Sequence, residues 1–419
     1  MSMLFSFRPY LICLCAALFY IYQFVLRVSP SVMVDDIMLS FHLDAASFAF
    51  LTASAMYAYS LMQIPAGIFA DKYGARVCIL ASIFFCSLGA LGFSFMENYW
   101  LALLSRILMG AGSACAFLCL TKVALSWFGV KWQARIFGFT MTAGTIGALN
   151  GGAPIAYLLE LTSWKGVFVF LSMLGLFIWT INYFFLSEKT ADINTDSIST
   201  RGMTDIIRTI FKKRNCWINA FVALGIYACV SVIADLWGVA FCMQAFKLSR
   251  PEAAQLTSLI YVGLCVGSIL IPFLSDSLLE RKKFILLGLS VITISLTLFI
   301  YGSQSSSLWI VSALLFLTGF FAGTEMLCFT NACESVSPTI AGTVTGFVNC
   351  IVMLGGSILQ NIVGLVMDYS WQGHLNEQGE RLYGQYEYQS GFAVLIACVL
   401  GCLVIATLIP IRKTKALNV

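Results

Sequence analysis

The feature that most constrains this chain is a series of twelve long apolar runs separated by short polar breaks. A helix of about 20 apolar residues crosses the roughly 30 Å hydrocarbon core of a bilayer. Only 11% of the 419 residues are charged, against about a quarter in soluble domains. The sequence therefore predicts an all-α membrane protein of twelve transmembrane helices, with spans near 10–34, 44–70, 76–96, 99–126, 134–160, 165–186, 216–244, 252–276, 284–303, 308–333, 340–368 and 389–411.

The basic residues are distributed unevenly among the predicted loops. With the N-terminus inside, 17 of the 24 lysines and arginines fall in cytoplasmic loops and tails, and four fall in outer loops. Segments rich in Lys and Arg stay on the cytoplasmic side of a membrane. We therefore expect a multi-pass protein of the bacterial inner membrane with both termini in the cytoplasm.

A long polar break at 187–215 divides the chain into two sets of six spans. We expect an N-terminal bundle over 1–186, a cytoplasmic linker over 187–215 and a C-terminal bundle over 216–419. Internal similarity supports two related halves, because three glycines of span 5 recur 204 residues later in span 11 and Asp71 recurs 205 residues later as Asp276. Parallel repeats of this kind place a transporter's substrate site between the halves.

Two motifs carry a family resemblance. The loop after span 2 reads Gly67-Ile-Phe-Ala-Asp71-Lys72-Tyr-Gly74-Ala-Arg76, and span 4 contains Arg106-Ile-Leu-Met-Gly110-Ala-Gly112. Both resemble signatures of the major facilitator superfamily, which implies two pseudo-symmetric six-helix bundles. The resemblance also implies a gating role for Gly67, Asp71, Lys72, Gly74, Arg76 and the matching Asp276; the alternative is a loop that only anchors the topology.

Five charged residues lie inside the apolar runs: Arg27, Arg106, Lys122, Asp235 and Glu325. A charge at the centre of a membrane helix costs roughly 2.5–3.5 kcal/mol on insertion scales, so these side chains should face a cavity or one another. Asp235 and Glu325 are candidate proton carriers, and the alternative is a permanent buried ion pair with an arginine. Glu325 could also belong to a cytoplasmic gate.

Arg27 lies in the stretch Phe24-Val-Leu-Arg27-Val-Ser-Pro30-Ser-Val-Met. This stretch is similar to the first span of the organophosphate and anion:cation symporter branches, where the resemblance implies that an arginine binds a phosphate or a carboxylate. A guanidinium suits that task because its planar fork donates two parallel hydrogen bonds and stays charged. The alternatives for Arg27 are a partner for an internal acid or another structural role.

Polar and aromatic residues on otherwise apolar helices are the candidates for the cavity wall. Any one of them could equally form a hydrogen bond between helices. As a set they suggest a substrate with a polar end and an apolar body. The candidates are Tyr20, Tyr57, Tyr59, Gln63, Asn150, Tyr227, Trp237, Tyr261, Asn349, Gln360 and Asn361.

These observations predict a secondary active transporter that works by alternating access, with proton-coupled uptake of a small organic anion or zwitterion. A proton-driven exporter of drugs or metabolites and a nontransporting sensor are the alternatives. The sequence contains no G-x-x-x-x-G-K-[ST] loop, and its two histidines fall in or beside loops, so we expect no enzyme, metal site or cofactor. The expected partners are a small molecule, protons and the bilayer, with no nucleic acid, and the expected state is a monomer.

Overall fold

The computed structural model describes residues 2–129, 133–187, 208–278, 281–302, 307–337, 340–375, 379 and 381–410. Within these residues the chain is helical throughout its apolar runs, and eleven of the helical segments are long and apolar enough to cross a membrane. The remaining run, span 5, forms the helices Gln133–Gly151 and Ala153–Leu161 in sequence. Its glycines and threonines make it less apolar than the others. The predicted twelve-helix all-α architecture is confirmed.

The helices follow the predicted runs to within a few residues, apart from a span 1 that begins earlier. Spans 4, 5 and 10 each consist of two consecutive helices. The breaks lie at Ala114 in span 4, at Gly152 in span 5 and at Gly323–Thr324 in span 10. In chain order the α-helices are Ser2–Val28, Val34–Phe41, Ala45–Tyr73, Ala75–Phe95, Tyr99–Ser113, Cys115–Phe128, Gln133–Gly151, Ala153–Leu161, Trp164–Phe185, Arg214–Cys229, Gly238–Phe246, Arg250–Leu278, Arg281–Thr297, Leu308–Ala322, Glu325–Cys333, Ala341–Tyr369 and Gln385–Ala406.

Two irregular segments interrupt the helices near the middle of the fold. Span 1 tightens into a 3₁₀ turn at Ser29–Val32, since Pro30 has no N–H to continue the α-helical ladder. Span 7 widens into a π-helix at Val230–Trp237 between its two α-helices. π-helical turns are rare and frequently lie at functional sites, and this one carries Asp235.

Matching glycines pack matching spans in the two bundles. Gly151 of span 5 lies against span 1, where a Cβ atom would approach Val28 Cβ to 2.8 Å. Gly355 of span 11, 204 residues later, lies against Leu224 of span 7 in the same manner. Small residues let membrane helices approach closely, so the glycine repeat corresponds to a repeated helix contact.

The two bundles meet along spans 2 and 11 and at one end of the molecule. We call the end with residues 42–44, 247–249, 370–375 and 381–384 the loop face and the opposite end, with residues 186–187 and 208–213, the linker face. At the loop face Arg250 forms an ion pair with Asp36, with 2.8 Å between Nη1 and Oδ2. This contact joins span 8 to the connection between spans 1 and 2.

A second contact at the loop face caps span 2 with a carboxylate from the other bundle. The backbone N–H groups of Ala45 and Ala46 donate to Asp368 of span 11, at 3.2 Å to Oδ1 and 2.8 Å to Oδ2. Tyr383 and Arg381 also donate to this carboxylate. Burial and this hydrogen bond raise the pKa of Tyr383, so the phenol stays a donor at physiological pH. A carboxylate at the start of a helix accepts hydrogen bonds from N–H groups that have no partner within the helix, and its negative charge complements the helix dipole.

We expect Asp368→Asn to weaken this contact between the bundles by about 1–2 kcal/mol, because an amide lacks the charge and offers one acceptor oxygen instead of two. Hydrogen–deuterium exchange should rise by about fivefold to thirtyfold both at residues 45–48 and at 366–370. Asp44→Asn is the matched control, since Asp44 caps Ser47 within its own bundle at 2.9 Å and should affect residues 45–48 alone. Unchanged exchange at 366–370 in Asp368→Asn would contradict the proposed contact.

Candidate functional site

An ion pair between the bundles lies at the centre of the site. Arg27 of span 1 donates from Nε to Asp235 Oδ2 at 3.2 Å, and its Nη2 donates to Asp235 and to the Tyr227 hydroxyl. The side chain of Arg27 is 11% exposed and that of Asp235 is 4% exposed. Because Arg27 belongs to one bundle and Asp235 to the other, their contact depends on how the bundles are arranged.

Both oxygens of Asp235 accept hydrogen bonds. Tyr261 of span 8 donates to Oδ1 while Arg27 occupies Oδ2. Buried ion pairs are stable only when further hydrogen bonds satisfy their remaining donors and acceptors. This pair meets that requirement through the two tyrosines that the sequence suggested as cavity-wall residues, Tyr227 and Tyr261.

Span 11 holds the π-helical segment that carries Asp235. Gln360 donates from Nε2 to the backbone oxygen of Ser231 at 2.7 Å and to its Oγ at 3.2 Å. Trp237 Nε1 donates to the backbone oxygen of Gln360 at 3.3 Å. Gln360 and Trp237 therefore connect span 11 to the segment that carries Asp235, and the substrate contact predicted for them stays a prediction.

A second buried arginine lies beside the ion pair. Arg106 of span 4 is 3% exposed and donates to backbone oxygens of Thr52, at 3.1 Å, and Leu26, at 3.5 Å. Its Nε has no hydrogen-bond partner, and no acidic side chain pairs with Arg106 among the residues described. The interior thus holds a cation whose charge is not balanced by a direct partner.

Glu325 is the second internal acid, and it lies deep in the C-terminal bundle. It begins the second helix of span 10 and is 4% exposed. That helix packs against the first helix of span 7, which carries Tyr227. The gate-like ion pair at the linker face instead involves Glu334, whose Oε1 lies 2.6 Å from Arg281 Nη1.

A cavity next to Arg27 and Arg106 is lined by both bundles. Its wall combines hydrogen-bonding groups with apolar side chains, which suits a small hydroxylated anion better than a purely apolar molecule. The lining residues come from spans 1, 2, 4, 7 and 11 and include Gln23, Leu26, Arg27, Thr52, Ala55, Met56, Tyr59, Arg106, Met109, Ser113, Asp235, Leu236 and Gln360.

Four further predicted wall residues form two hydrogen-bonded pairs that connect the bundles along spans 2 and 11. Gln63 accepts a hydrogen bond from Asn349 Nδ2 at 3.3 Å, and Tyr57 accepts one from Asn361. These amides therefore join helices, as the alternative interpretation of the sequence allowed. They stand apart from the ion pair itself.

Three more of the predicted residues, Tyr20, Asn150 and Lys122, do not line the cavity. Tyr20 packs between aromatic rings, with its centroid 5.2 Å from that of Phe24. Asn150 is exposed and donates to the Ile146 oxygen one turn earlier in its own helix. Lys122 Nζ donates to the Ala70 oxygen at 2.7 Å, near the linker-face end of span 2. Lys122 thus belongs with the motif loop rather than with the central charges.

The motif loop at the linker face has the backbone that its glycines predict. Gly74 has φ 83° at the junction of spans 2 and 3, a conformation that favours glycine. Arg76 Nη2 donates to the Tyr183 oxygen at 2.7 Å, and the ammonium of Lys72 lies 5.1 Å from the ring centroid of Tyr73. Gly67 faces Leu118 of span 4.

The side chains of Asp71 and Asp276 lie outside the described part of the structure, and the gating role of the motif loop stays a prediction.

Sequence reasoning missed Thr52 and Ser113 in the cavity wall. Ser113 follows Arg106 by seven residues, two helical turns that return to the same face, so the spacing could have revealed it. Thr52 has no comparable signal. Asp368 was also missed, because its role depends on the start of span 2, more than 300 residues away in the sequence.

Comparisons with known proteins agree with this architecture. Residues 12–359 match the family model of the Major Facilitator Superfamily. The chain is 24% identical to the "Probable L-galactonate transporter" of Escherichia coli, over 78% of this chain and 76% of that protein. It is 22% identical to the "Hexuronate transporter" of Bacillus subtilis, over 83% and 85% of the two chains.

A solved structure shares the fold. It is described as a bacterial homolog of the human lysosomal transporter Spinster in an inward-facing and occupied conformation, and it superposes with a TM-score of 0.76 at 17% identity over 98% of this chain and 99% of that chain. The family model covers most of the chain, and the relatives are transporters rather than enzymes. This multi-pass membrane protein belongs to the major facilitator superfamily.

Proposed function

We propose that this protein is a secondary active transporter for a small organic anion of the sugar-acid type. The observation that carries the proposal is Arg106, a buried cation beside Arg27 in the same cavity and without an acidic partner among the described residues. An unbalanced charge at this depth is unfavourable unless a counter-charge joins it. A carboxylate is the natural counter-charge for a guanidinium, since the two form parallel hydrogen bonds.

The relatives support the same class of substrate. Their names specify galactonate and hexuronate, which are carboxylates with several hydroxyl groups. In this chain the cavity offers Gln23, Thr52, Tyr59 and Ser113 near the arginines, and side chains of these types can donate to and accept from hydroxyls. The apolar lining residues would contact the carbon chain of the substrate.

We further propose that the two bundles rearrange about the Arg27–Asp235 contact, so that the cavity opens to each side of the membrane in turn. The contacts Asp36–Arg250 and Ala46–Asp368 close the loop face, so entry or exit in this state is toward the linker face. On the positive-inside rule we propose that the linker face lies in the cytoplasm. We propose a monomer in the bacterial inner membrane, with both termini cytoplasmic and net movement inward.

Proton coupling is part of the proposal. Coupling to a proton gradient requires an internal group that can gain and lose a proton, and a carboxyl can supply it. Glu325 fits this role best, because it is buried and forms no ion pair with a basic side chain among the described residues. Asp235 fits less well, because Arg27 and Tyr261 occupy both of its oxygens.

A transport screen tests the proposed function. Purified protein in liposomes should accumulate labelled galactonate or hexuronates when the outside is more acidic than the inside, and should not accumulate the corresponding neutral hexoses. Lys165→Gln, at an exposed position, is the matched charge-removal control for variants of the buried cations. Movement of cations or neutral compounds alone would overturn the anion assignment, and efflux against the gradient would favour an exporter.

A further inference from the structure

We infer that the chain between residues 208 and 221 forms a binding site for an anionic phospholipid at the linker face. None of these residues lines the cavity beside Arg27 and Arg106, so this site is separate from the proposed transport of a sugar acid. Two adjoining features support it. A cluster of exposed cations lies where the chain enters span 7, and a patch of partly exposed aromatic rings continues from it along the span.

The cations are four exposed basic side chains within seven residues, namely Arg208, Lys212, Lys213 and Arg214. None of the four forms an ion pair with an acidic side chain among the residues that the structure describes. Other cations at the same face are engaged, since Arg281 pairs with Glu334 and Lys282 donates to the Thr407 backbone oxygen. The cluster therefore presents four positive charges to whatever lies against this end of span 7.

The cluster is held in a defined position. Ile210 is 2% exposed, and Trp217 Nε1 donates to the backbone oxygen of Phe211 at 3.0 Å. The N–H of Cys216 donates to the Lys213 oxygen at 3.0 Å, so the segment turns directly into span 7. Basic residues that only orient a chain in the membrane need to be on the correct side, but they do not need packed neighbours. The packing thus indicates a further task for these charges.

The aromatic patch begins directly beside the cations. Trp217 stacks on Phe221 with 5.9 Å between the ring centroids. The edges of Phe211 and Phe347 meet the Trp217 ring at 5.4 and 5.0 Å. Arg214, Trp217 and Phe221 follow one another at spacings of three and four residues, so they share one face of the helix. Phe211 and Phe221 are 55% and 42% exposed, and the patch therefore offers apolar surface next to the charges.

Together the two features match the two parts of a phospholipid. Clusters of Lys and Arg beside a transmembrane helix attract anionic lipids, and basic pockets there bind lipid headgroups. Tryptophan is enriched at the level of the headgroups, and the exposed rings beyond it suit an acyl chain. A small free anion would use the cations alone. An acidic protein could pair with the cations but would not reach rings that continue into a membrane span.

Native mass spectrometry of the full chain in detergent tests the site, with dioleoyl phosphatidylglycerol and dioleoyl phosphatidylcholine as probes. The two lipids share their acyl chains and differ in net charge, so the protein should bind one phosphatidylglycerol at least about tenfold more tightly. Glycerol phosphate has the charge without the chains and should not displace the lipid at millimolar concentrations. Equal binding of the two lipids would overturn the inference, and so would displacement by glycerol phosphate, which would assign the cations to a free anion.

A double variant locates the site on the chain. Lys212→Gln combined with Lys213→Gln removes two of the four charges. Each cation near an anionic headgroup contributes about fivefold in affinity, so phosphatidylglycerol should bind about 30-fold more weakly while phosphatidylcholine binds as before. The matched control combines Lys165→Gln with Lys247→Gln, two positions at the loop face, and should stay within about twofold of the unmodified protein.

Two results of this comparison would overturn the site. Unchanged phosphatidylglycerol binding by the variant at 212 and 213 would mean that the lipid binds elsewhere. Equal weakening in the variant and its control would mean that the net charge of the protein, and not this cluster, attracts the lipid.

Discussion

Arg27→Lys should lower the affinity for a carboxylate substrate on the order of 100-fold and reduce net uptake by at least as much. The loss of a charged hydrogen bond is worth about 1.5–3 kcal/mol, and a tenfold change in affinity corresponds to about 1.4 kcal/mol. In the structure the guanidinium of Arg27 already donates a hydrogen bond from Nε to Asp235 and one from Nη2 to Tyr227. An ammonium keeps the charge but lacks the planar fork that binds a carboxylate through two parallel hydrogen bonds.

Equilibrium binding of labelled galactonate to detergent-solubilised protein measures this effect separately from transport. Arg250→Lys is the matched control, because Arg250 forms its ion pair with Asp36 at the loop face and is outside the cavity. The control should bind galactonate within about threefold of the unmodified protein. If Arg27→Lys bound galactonate as tightly as the unmodified protein, Arg27 would be a structural partner of Asp235 and not a ligand.

The sequence predicted the helices well because their cause is local. Each apolar run must satisfy its own backbone hydrogen bonds in hydrocarbon, and a helix does so within a single segment. The glycine repeat likewise predicted related packing, as the contacts of Gly151 and Gly355 now display. The division of the chain into bundles and a linker, at 186/187 and 215/216, falls at the ends of a polar segment where no such local cause fixes a boundary. This division stays a prediction.

The irregular parts of the helices could not be predicted in the same way. The π-helical segment at Val230–Trp237 widens an apolar run that looks uniform in the sequence. It accepts hydrogen bonds from Gln360, which lies 129 residues beyond Ser231. The position of Asp235 relative to Arg27 is therefore set by a helix that hydropathy treats as an independent span.

The rotation of each helix about its axis explains why some of the predicted wall residues do not line the cavity. Hydropathy locates a span but does not say which side faces a cavity, so Asn150 could be selected although it is exposed and bonded within its own helix. The buried charges were more informative than the neutral polar residues. Arg27, Arg106 and Asp235 all line one cavity, because a charge inside the membrane has few other stable environments.

Asp235→Asn should bind galactonate more tightly than the unmodified protein, although its net transport should fall. In the structure Asp235 occupies the guanidinium of Arg27, so it competes with a substrate carboxylate for the same donors. Removing that competitor leaves two buried arginines without an acidic hydrogen-bond partner. We expect affinity to rise about tenfold, which corresponds to about 1.4 kcal/mol.

The same variant should be less stable in the absence of an anion. Removing one partner of a buried ion pair lowers the free energy of unfolding by roughly 3–5 kcal/mol, because the charge of the other partner is then uncompensated. Galactonate supplies a new counter-charge, so it should raise the thermal unfolding midpoint of Asp235→Asn more than that of the unmodified protein. Thermal denaturation with and without galactonate measures both effects.

Tyr261→Phe is the control for a purely structural effect. It removes the hydrogen bond to Asp235 Oδ1 but keeps the ion pair with Arg27, so its stability should fall by only about 1–2 kcal/mol and galactonate should stabilise it no more than the unmodified protein. Weaker galactonate binding by Asp235→Asn would mean that Asp235 positions Arg27 for the substrate and does not compete with it. Tighter binding combined with lost transport would mean that the ion pair between the bundles is the contact that a substrate must replace for the carrier to change state.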